Sequence, residues 1–341
     1  MRLHVPRASP RPARRPSFRH RIADSFSERE QGLVRTRFGI DSGAPPVLPI
    51  TPGIAVAARD IRPSTVIASP IPHVRTMFMI LRVDPLGMAD DNRRTVDAVR
   101  TACEVLDVLQ RRERVGVTEI AEEVGLAKGA VHRHLTTLDE AEYVVNEDGH
   151  YRLSLRYLDM ADRVKEMIGN YDVIAGELEK LAETTGEVAQ FATEEHGWVT
   201  YVYKANSGSG VQTASSAGKR EYMHSTALGK AMLAEMNDER VTEILDEHGT
   251  PPKTEHTCTD PSELQASLET VRERGYSLDN QENITGLRCM GMPLMNDEPR
   301  VFGAVSISGP VSRMTDERIE SELSEALARS TNVIEINSKF A

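Results

Sequence analysis

The stretch Val117-Thr118-Glu119-Ile120-Ala121-Glu122-Glu123-Val124-Gly125-Leu126-Ala127-Lys128-Gly129-Ala130-Val131-His132-Arg133-His134-Leu135-Thr136-Thr137-Leu138 decides how the chain is organised. A hydroxyl cap at Thr118 ahead of Ile120, Ala121 and Val124 predicts a short helix. Gly125 supplies a turn, and Val131, Leu135 and Leu138 recur along one face of a further helix. A small residue at Ala121, a glycine four later and an apolar residue six beyond that are the spacing of a helix-turn-helix, whose two helices cross closely at the alanine.

Upstream, Val96, Val99, Cys103, Leu106 and Leu109 fall at three- and four-residue spacing, which predicts one apolar face of a helix from about Arg93 to Arg111. Downstream, Tyr143-Val144-Val145 and His150-Tyr151-Arg152-Leu153 flank Asn146-Glu147-Asp148-Gly149, the pattern of a β-hairpin around Asp-Gly. Three helices and a hairpin make a winged helix-turn-helix over residues 92–153. A helical hairpin without a nucleic-acid partner is the competing reading. With Val131, Leu135 and Leu138 turned inward, Lys128, Gly129, Ala130, Arg133 and Thr137 face solvent, with His132 and His134 on the flanks. These are candidates for the major groove, where Arg and Lys pair with guanine or phosphate and Thr serves either. Arg94, Thr118 and Arg152 in the wing complete the candidate DNA contacts.

Charge and proline divide the rest. Residues 1–87 carry fourteen Arg, no Lys and six acidic residues, net +8, with twelve of the eighteen prolines. Residues 88–341 carry 27 basic and 46 acidic residues, net −19, which together with the first segment restores the chain's −11. So much Pro and Arg without apolar periodicity buries too little surface to offset the entropy of ordering. Residues 1–91 are therefore expected to be a disordered or non-native extension, with Met88 the expected start of the working protein. A basic arm on nucleic acid is the alternative. Dense carboxylates with 33 Arg against eight Lys suit high intracellular salt, as in a halophilic archaeon, where screening removes their repulsion; an ordinary acidic bacterial protein is the alternative.

Cys103, Cys258 and Cys289 lack the paired spacing of a zinc or redox motif, and His256-x-Cys258 has no second pair, so neither metal nor cofactor is expected. No apolar run approaches the ~18–20 residues of a membrane span, and Arg14-Arg15-Pro16-Ser17-Phe18 is followed by no apolar export core. A cytoplasmic protein without a membrane partner is expected.

Beyond residue 153, Leu155, Leu158, Ala161, Val164 and Ile168 outline a linker helix, and Val173, Leu178 and Leu181 a second one ending at Gly186. Strands are expected at Val188–Thr193, Trp198–Tyr203, Tyr276–Asn280, Met290–Met295 and Val301–Ser308. Helices are expected at 226–236, 239–247 and 262–274, with Thr315 capping a last one. The whole reads as an α+β chain: a winged head, then, over residues 154–341, a linker helix and a mainly antiparallel sheet flanked by helices.

Gly125-Leu126-Ala127-Lys128 with Val131-His132-Arg133, the wing ending Tyr151-Arg152-Leu153, and above all the spaced set Gly275, Asp279, Glu282, Cys289, Met290, Gly291, Leu294 and Asn296 resemble the IclR family of transcriptional regulators. Gly129-Ala130 stand where that family has Ser-Thr, and Met295 where it has an aromatic residue or His. The resemblance implies a GAF-like effector-binding domain and a homodimer or homotetramer that binds double-stranded operator DNA under control of a small-molecule effector, often as a repressor. It also implies that the effector, a small carboxylic acid, is held by the backbone amides of Ala227 and Leu228 and the side chains of Asp279, Cys289, Ser306 and Ser308. Amides at a helix start donate to a carboxylate, and Ser306 and Ser308, two apart on a strand, share a face. The alternative is a small-molecule-binding protein or enzyme whose head serves assembly only, with Asp279, Glu282 and Cys289 as a conceivable catalytic group. No G-x-S-x-G, P-loop or dinucleotide fingerprint supports catalysis, so no catalytic residue is assigned.

Overall fold

The computed structural model describes residues 95–208, 215–296 and 300–338. The expectations for residues 1–91, Met88 among them, and for Arg93 and Arg94 lie outside the described residues.

The head consists of α1 (Asp97–Arg111), β1 (Val115–Gly116), α2 (Val117–Val124), α3 (Lys128–Glu140), β2 (Val144–Glu147) and β3 (His150–Leu153), with strand order β1-β3-β2. Its core joins Val105, Val108 and Leu109 of α1 to Ile120 and Ala121 of α2, Val131 and Leu135 of α3, and Val144 and Tyr151 of the hairpin. Gly125, at φ 75°, ends α2 and donates its N–H to Ala121 O at 3.0 Å, turning the chain into α3 where a Cβ would be strained. Asp148 and Gly149 both have positive φ, the two-residue turn whose twist matches the flanking strands.

Two expectations are corrected. Val96, Val99 and Cys103 are exposed, because the side of α1 bearing Val105, Val108 and Leu109 faces the core and leaves the other apolar stripe uncovered. Thr118 does not cap α2. The helix already begins at Val117, and the Glu119 carboxylate accepts the Gly116 N–H at 3.0 Å. The short β1, paired with β3, was not legible in the sequence.

After α4 (Arg156–Ile168) and α5 (Tyr171–Thr185) come β4 (Val188–Glu195), β5 (Trp198–Ala205), β6 (Arg220–Tyr222), α6 (Ala227–Glu235), α7 (Asp238–His248), α8 (Pro261–Arg274), β7 (Ser277–Asn280), β8 (Leu287–Met295) and β9 (Val301–Pro310). Thr315 caps α9 (Asp316–Arg318), as expected. A π turn at Ile319–Leu323 then leads into α10 (Ser324–Ser338). The six strands form one antiparallel sheet ordered β6-β5-β4-β9-β8-β7.

One face, carrying Ala189, Phe191, Met290, Met292, Val305 and Ile307, packs on Ile174, Leu178 and Leu181 of α5 and on Leu327 and Ile334 of α10. The other presents Ala192, Tyr201 and Ala304 to Leu228 and Met232 of α6, Ile244 of α7 and Leu268 of α8. The α+β layout expected from the sequence is the one observed.

Candidate functional site

Strand register assembles a polar row on the α6 face. Asp279 lies opposite Cys289, Cys289 opposite Ser308 and Ser308 opposite Val188; the next row runs Ser277, Gly291, Ser306, Gln190. Residues two apart on a strand share a face, so Asp279, Cys289, Ser306, Ser308 and Gln190 all point to one side.

The start of α6 lies directly over them. It can do so because Gly291 has no side chain: a Cβ there would stand 2.7 Å from Ala227 O. Ser277 Oγ donates to that same carbonyl at 2.5 Å and to Gly291 O at 3.2 Å. Gly229 is equally confined, its Cβ position 2.2 Å from Met223 O. Thr226 caps the helix by accepting the Gly229 N–H at 3.0 Å, and the N–H groups of Ala227 and Leu228, in the first turn, have no intrahelical acceptor.

Between helix start and sheet is a cleft of about 490 Å³, mouth included. All six expected effector residues, Ala227, Leu228, Asp279, Cys289, Ser306 and Ser308, line it. Sequence reasoning missed Gln190, Tyr201, Lys219, Glu221, Thr226 and Asn283 on its wall. Thr226 was within reach as a cap before a small-residue helix start. Gln190 becomes visible only once β4 is known to pair with β9.

Most polar groups of the wall are hydrogen-bonded, with Asn283 Oδ1 and Ser306 Oγ the buried exceptions among its described residues. Ser308 Oγ donates to Gln190 Oε1 at 3.0 Å, and Gln190 Nε2 donates to Ser215 Oγ at 2.6 Å. Ser306 Oγ, buried beside them, has no partner. Asp279 Oδ1 accepts the N–H of Glu282 at 2.7 Å and of Asn283 at 3.3 Å. Burial nevertheless pushes its carboxyl up to about 6, against the pull of the nearby Lys230 ammonium. Lys230 is itself buried and hydrogen-bonded to Glu282 Oε1. Cys289 keeps some surface, yet is packed deeply enough that burial drives its thiol well above the usual range. At the mouth, Glu221 is held by Lys219 at 2.9 Å and Lys253 at 3.2 Å.

On the head, Lys128, Gly129, His132, Arg133 and Thr137 of α3 are exposed, and Ala130 is half-buried. Thr137 Oγ1 donates to Arg133 O at 3.0 Å. Arginines elsewhere on the head are paired internally: Arg111 with Glu123 at 2.8 Å, Arg112 with Glu123 at 3.1 Å, Arg114 with Glu147 at 3.3 Å. Arg152 is half-buried, its Nε donating to Glu147 Oε1 at 2.8 Å, and this pairing holds the Glu147 carboxyl below the usual range. Thr118 is exposed in the first turn of α2.

Residues 98–148 match the IclR helix-turn-helix domain, and residues 169–335 match the Bacterial transcriptional regulator IclR C-terminal domain. The regulator KdgR of Escherichia coli is 30% identical over 232 residues, 66% of this chain and 87% of that protein. The chain belongs to the IclR family. ArcR of Halobacterium salinarum is 26% identical over 263 residues, 76% of this chain and all of that one. The crystal structure of Thermotoga maritima IclR superposes with a TM-score of 0.60 at 28% identity, over 71% of this chain and 98% of that one. The protein is thus a DNA-binding transcriptional regulator with an effector-binding C-terminal domain. Its IclR-family relatives are regulators rather than enzymes. Among the described residues no helix is long and apolar enough to cross a membrane.

Proposed function

We propose that this IclR-family regulator grips its operator with α3 and the wing and loosens or tightens that grip when a small carboxylic acid enters the cleft under α6. In this reading residues 92–153 read DNA, through Lys128, Gly129, Ala130, His132, Arg133 and Thr137 on α3, with Arg94, Thr118 and Arg152 against phosphate. Residues 154–341 sense the acid. Its carboxylate lies on the free amides of Ala227 and Leu228, and its remaining polar atoms meet Asp279, Cys289, Ser306 and Ser308.

The observation that carries the reading is the pairing of two unspent helix-start amides with a buried Ser306 hydroxyl that has no partner, both facing one cleft. A ligand that satisfies both removes the penalty of leaving them unmade.

The regulator is read as a cytoplasmic homodimer, or a tetramer built from dimers. The support is an apolar surface left bare on two helices: Val96 and Val99 at α1, and Leu155, Leu158, Val164 and Met167 along α4, are each more than half exposed. The acidic surface and the likeness to ArcR of Halobacterium salinarum support a halophilic archaeal setting.

The test is fluorescence anisotropy on genomic fragments recovered with the protein, with and without a panel of pyruvate, lactate and benzoate. A change in operator affinity with at least one acid supports the reading. Turnover of the acid, or indifference to all three, sinks it.

A further inference from the structure

Asp279 is an unusual neighbour for an anion. It lies on the same cleft wall as the free amides of Ala227 and Leu228 and is only 3% exposed. The enclosed part of the site is already short of positive charge. Lys230 on α6 is the buried ammonium there, and it is hydrogen-bonded to Glu282, whose other oxygen has no partner. Asp279 and Glu282 therefore share one cation.

Among the described residues no further cation stands beside Asp279: Lys204 on β5, opposite Gln190, is turned to Ser215 O at 3.3 Å. The Cys289 thiol on β8, hydrogen-bonded to Asp279, and Tyr201 on β5 are kept neutral by burial. His224, ahead of α6, is pushed down to about 4 and is neutral near pH 7. Lys219 and Lys253 are both committed to Glu221, the first from the turn before β6 and the second from the loop after α7. A carboxylate placed on the start of α6 would face an ionised Asp279 across a site with little water to screen the two charges.

We propose that the effector anion enters this cleft together with one proton, which Asp279 takes up. This rests on the carboxylic-acid reading above. The protonated Asp279 Oδ2–H then donates to an oxygen of the ligand, while Oδ1 keeps the Glu282 and Asn283 N–H bonds that hold the loop between β7 and β8. The sensor consequently answers to the acid and to internal pH jointly: the same acid concentration is a stronger signal in a more acidic cell.

The test is titration calorimetry of the full chain with pyruvate, lactate and benzoate, in buffers of differing ionisation enthalpy from pH 6 to pH 8. Burial holds the free Asp279 near 6, so at pH 7 an acid that binds should take up roughly half to one proton per site. Its affinity should fall by up to tenfold per pH unit between about 6 and the carboxyl's raised value in the complex. Asp279→Asn should bind without proton exchange, give a flat profile, and match or exceed the parent at pH 8. Because that variant could misfold, carbon-detected titration of parent side-chain carboxyls provides a second reading: one Asp resonance titrating near 6 should move upward when acid is added. Binding without proton exchange, or with the exchange intact in Asp279→Asn, overturns this inference and leaves the carboxylic-acid reading standing. Failure of all three acids to bind removes both.

Discussion

At the scale of single residues, Ser306 and His224 make opposite demands. Ser306 Oγ is buried without a partner, so Ser306→Ala should leave thermal stability unchanged or slightly raised while weakening the acid's effect on operator binding about tenfold, the worth of one hydrogen bond. Melting curves and anisotropy titrations check the two halves separately. His224, only 1% exposed, faces Pro251 O at 3.1 Å, and burial lowers it to about 4. Its unfolded value lies near 6.5, so the unfolded chain gains the proton first as pH drops, and stability is lost between about 6.5 and 4, on the order of 2–3 kcal/mol. Asp279 runs the other way, since a raised carboxyl adds stability as pH falls from about 6 toward its unfolded value. The difference between parent and His224→Gln in denaturant unfolding isolates the histidine: the variant should lose less stability on acidification, and an identical loss would disprove the assignment. That the six expected residues line one cleft was legible through family resemblance, with Asp279 and Cys289 marked by the spaced set from Gly275 to Asn296 and the others carried over by position. Their partners Gln190 and Tyr201 were not, since only the pairing of β4 with β9 and β5 brings them to the cleft.

Among the elements, α3 shows what periodicity can and cannot deliver. Val131 and Leu135 are buried as its spacing requires, and the exposed face carries Lys128 and Arg133, the cations on α3. Arg133→Ala should weaken operator binding by on the order of 1–3 kcal/mol and lessen its salt dependence, with the melting temperature unchanged; equal gel-shift affinities at matched salt would remove it from the interface. Gly129 is neither crowded nor at positive φ, since a Cβ there meets nothing within 4 Å. Gly129→Ala should therefore stabilise the head by roughly 0.5–1 kcal/mol, readable as a raised unfolding midpoint. The same periodicity misjudged α1, where two apolar stripes run side by side. Spacing alone does not tell which is covered by the protomer's own core and which is left for something else.

For the whole molecule, that bare stripe and the one on α4 are the largest departure from what a lone protomer needs. Leu158→Asp with Val164→Asp should shift the mass measured by light scattering at micromolar concentration from an oligomer to the protomer and lower operator affinity, while the sensor core, which contains neither residue, keeps its unfolding transition. An unchanged mass would place the contact elsewhere. The sheet's order has a different sequel, in time rather than in space. β9 is the last strand made, yet it sits between β4 and β8, so the two halves of the sheet stay apart until its residues leave the ribosome, whereas the head's helices and hairpin are contiguous and complete early. A growing chain can thus own a working grip on DNA before it owns any means of hearing the metabolite. A chain cut short of β9 would combine that grip with two open strand edges, each prone to pairing with a neighbour's.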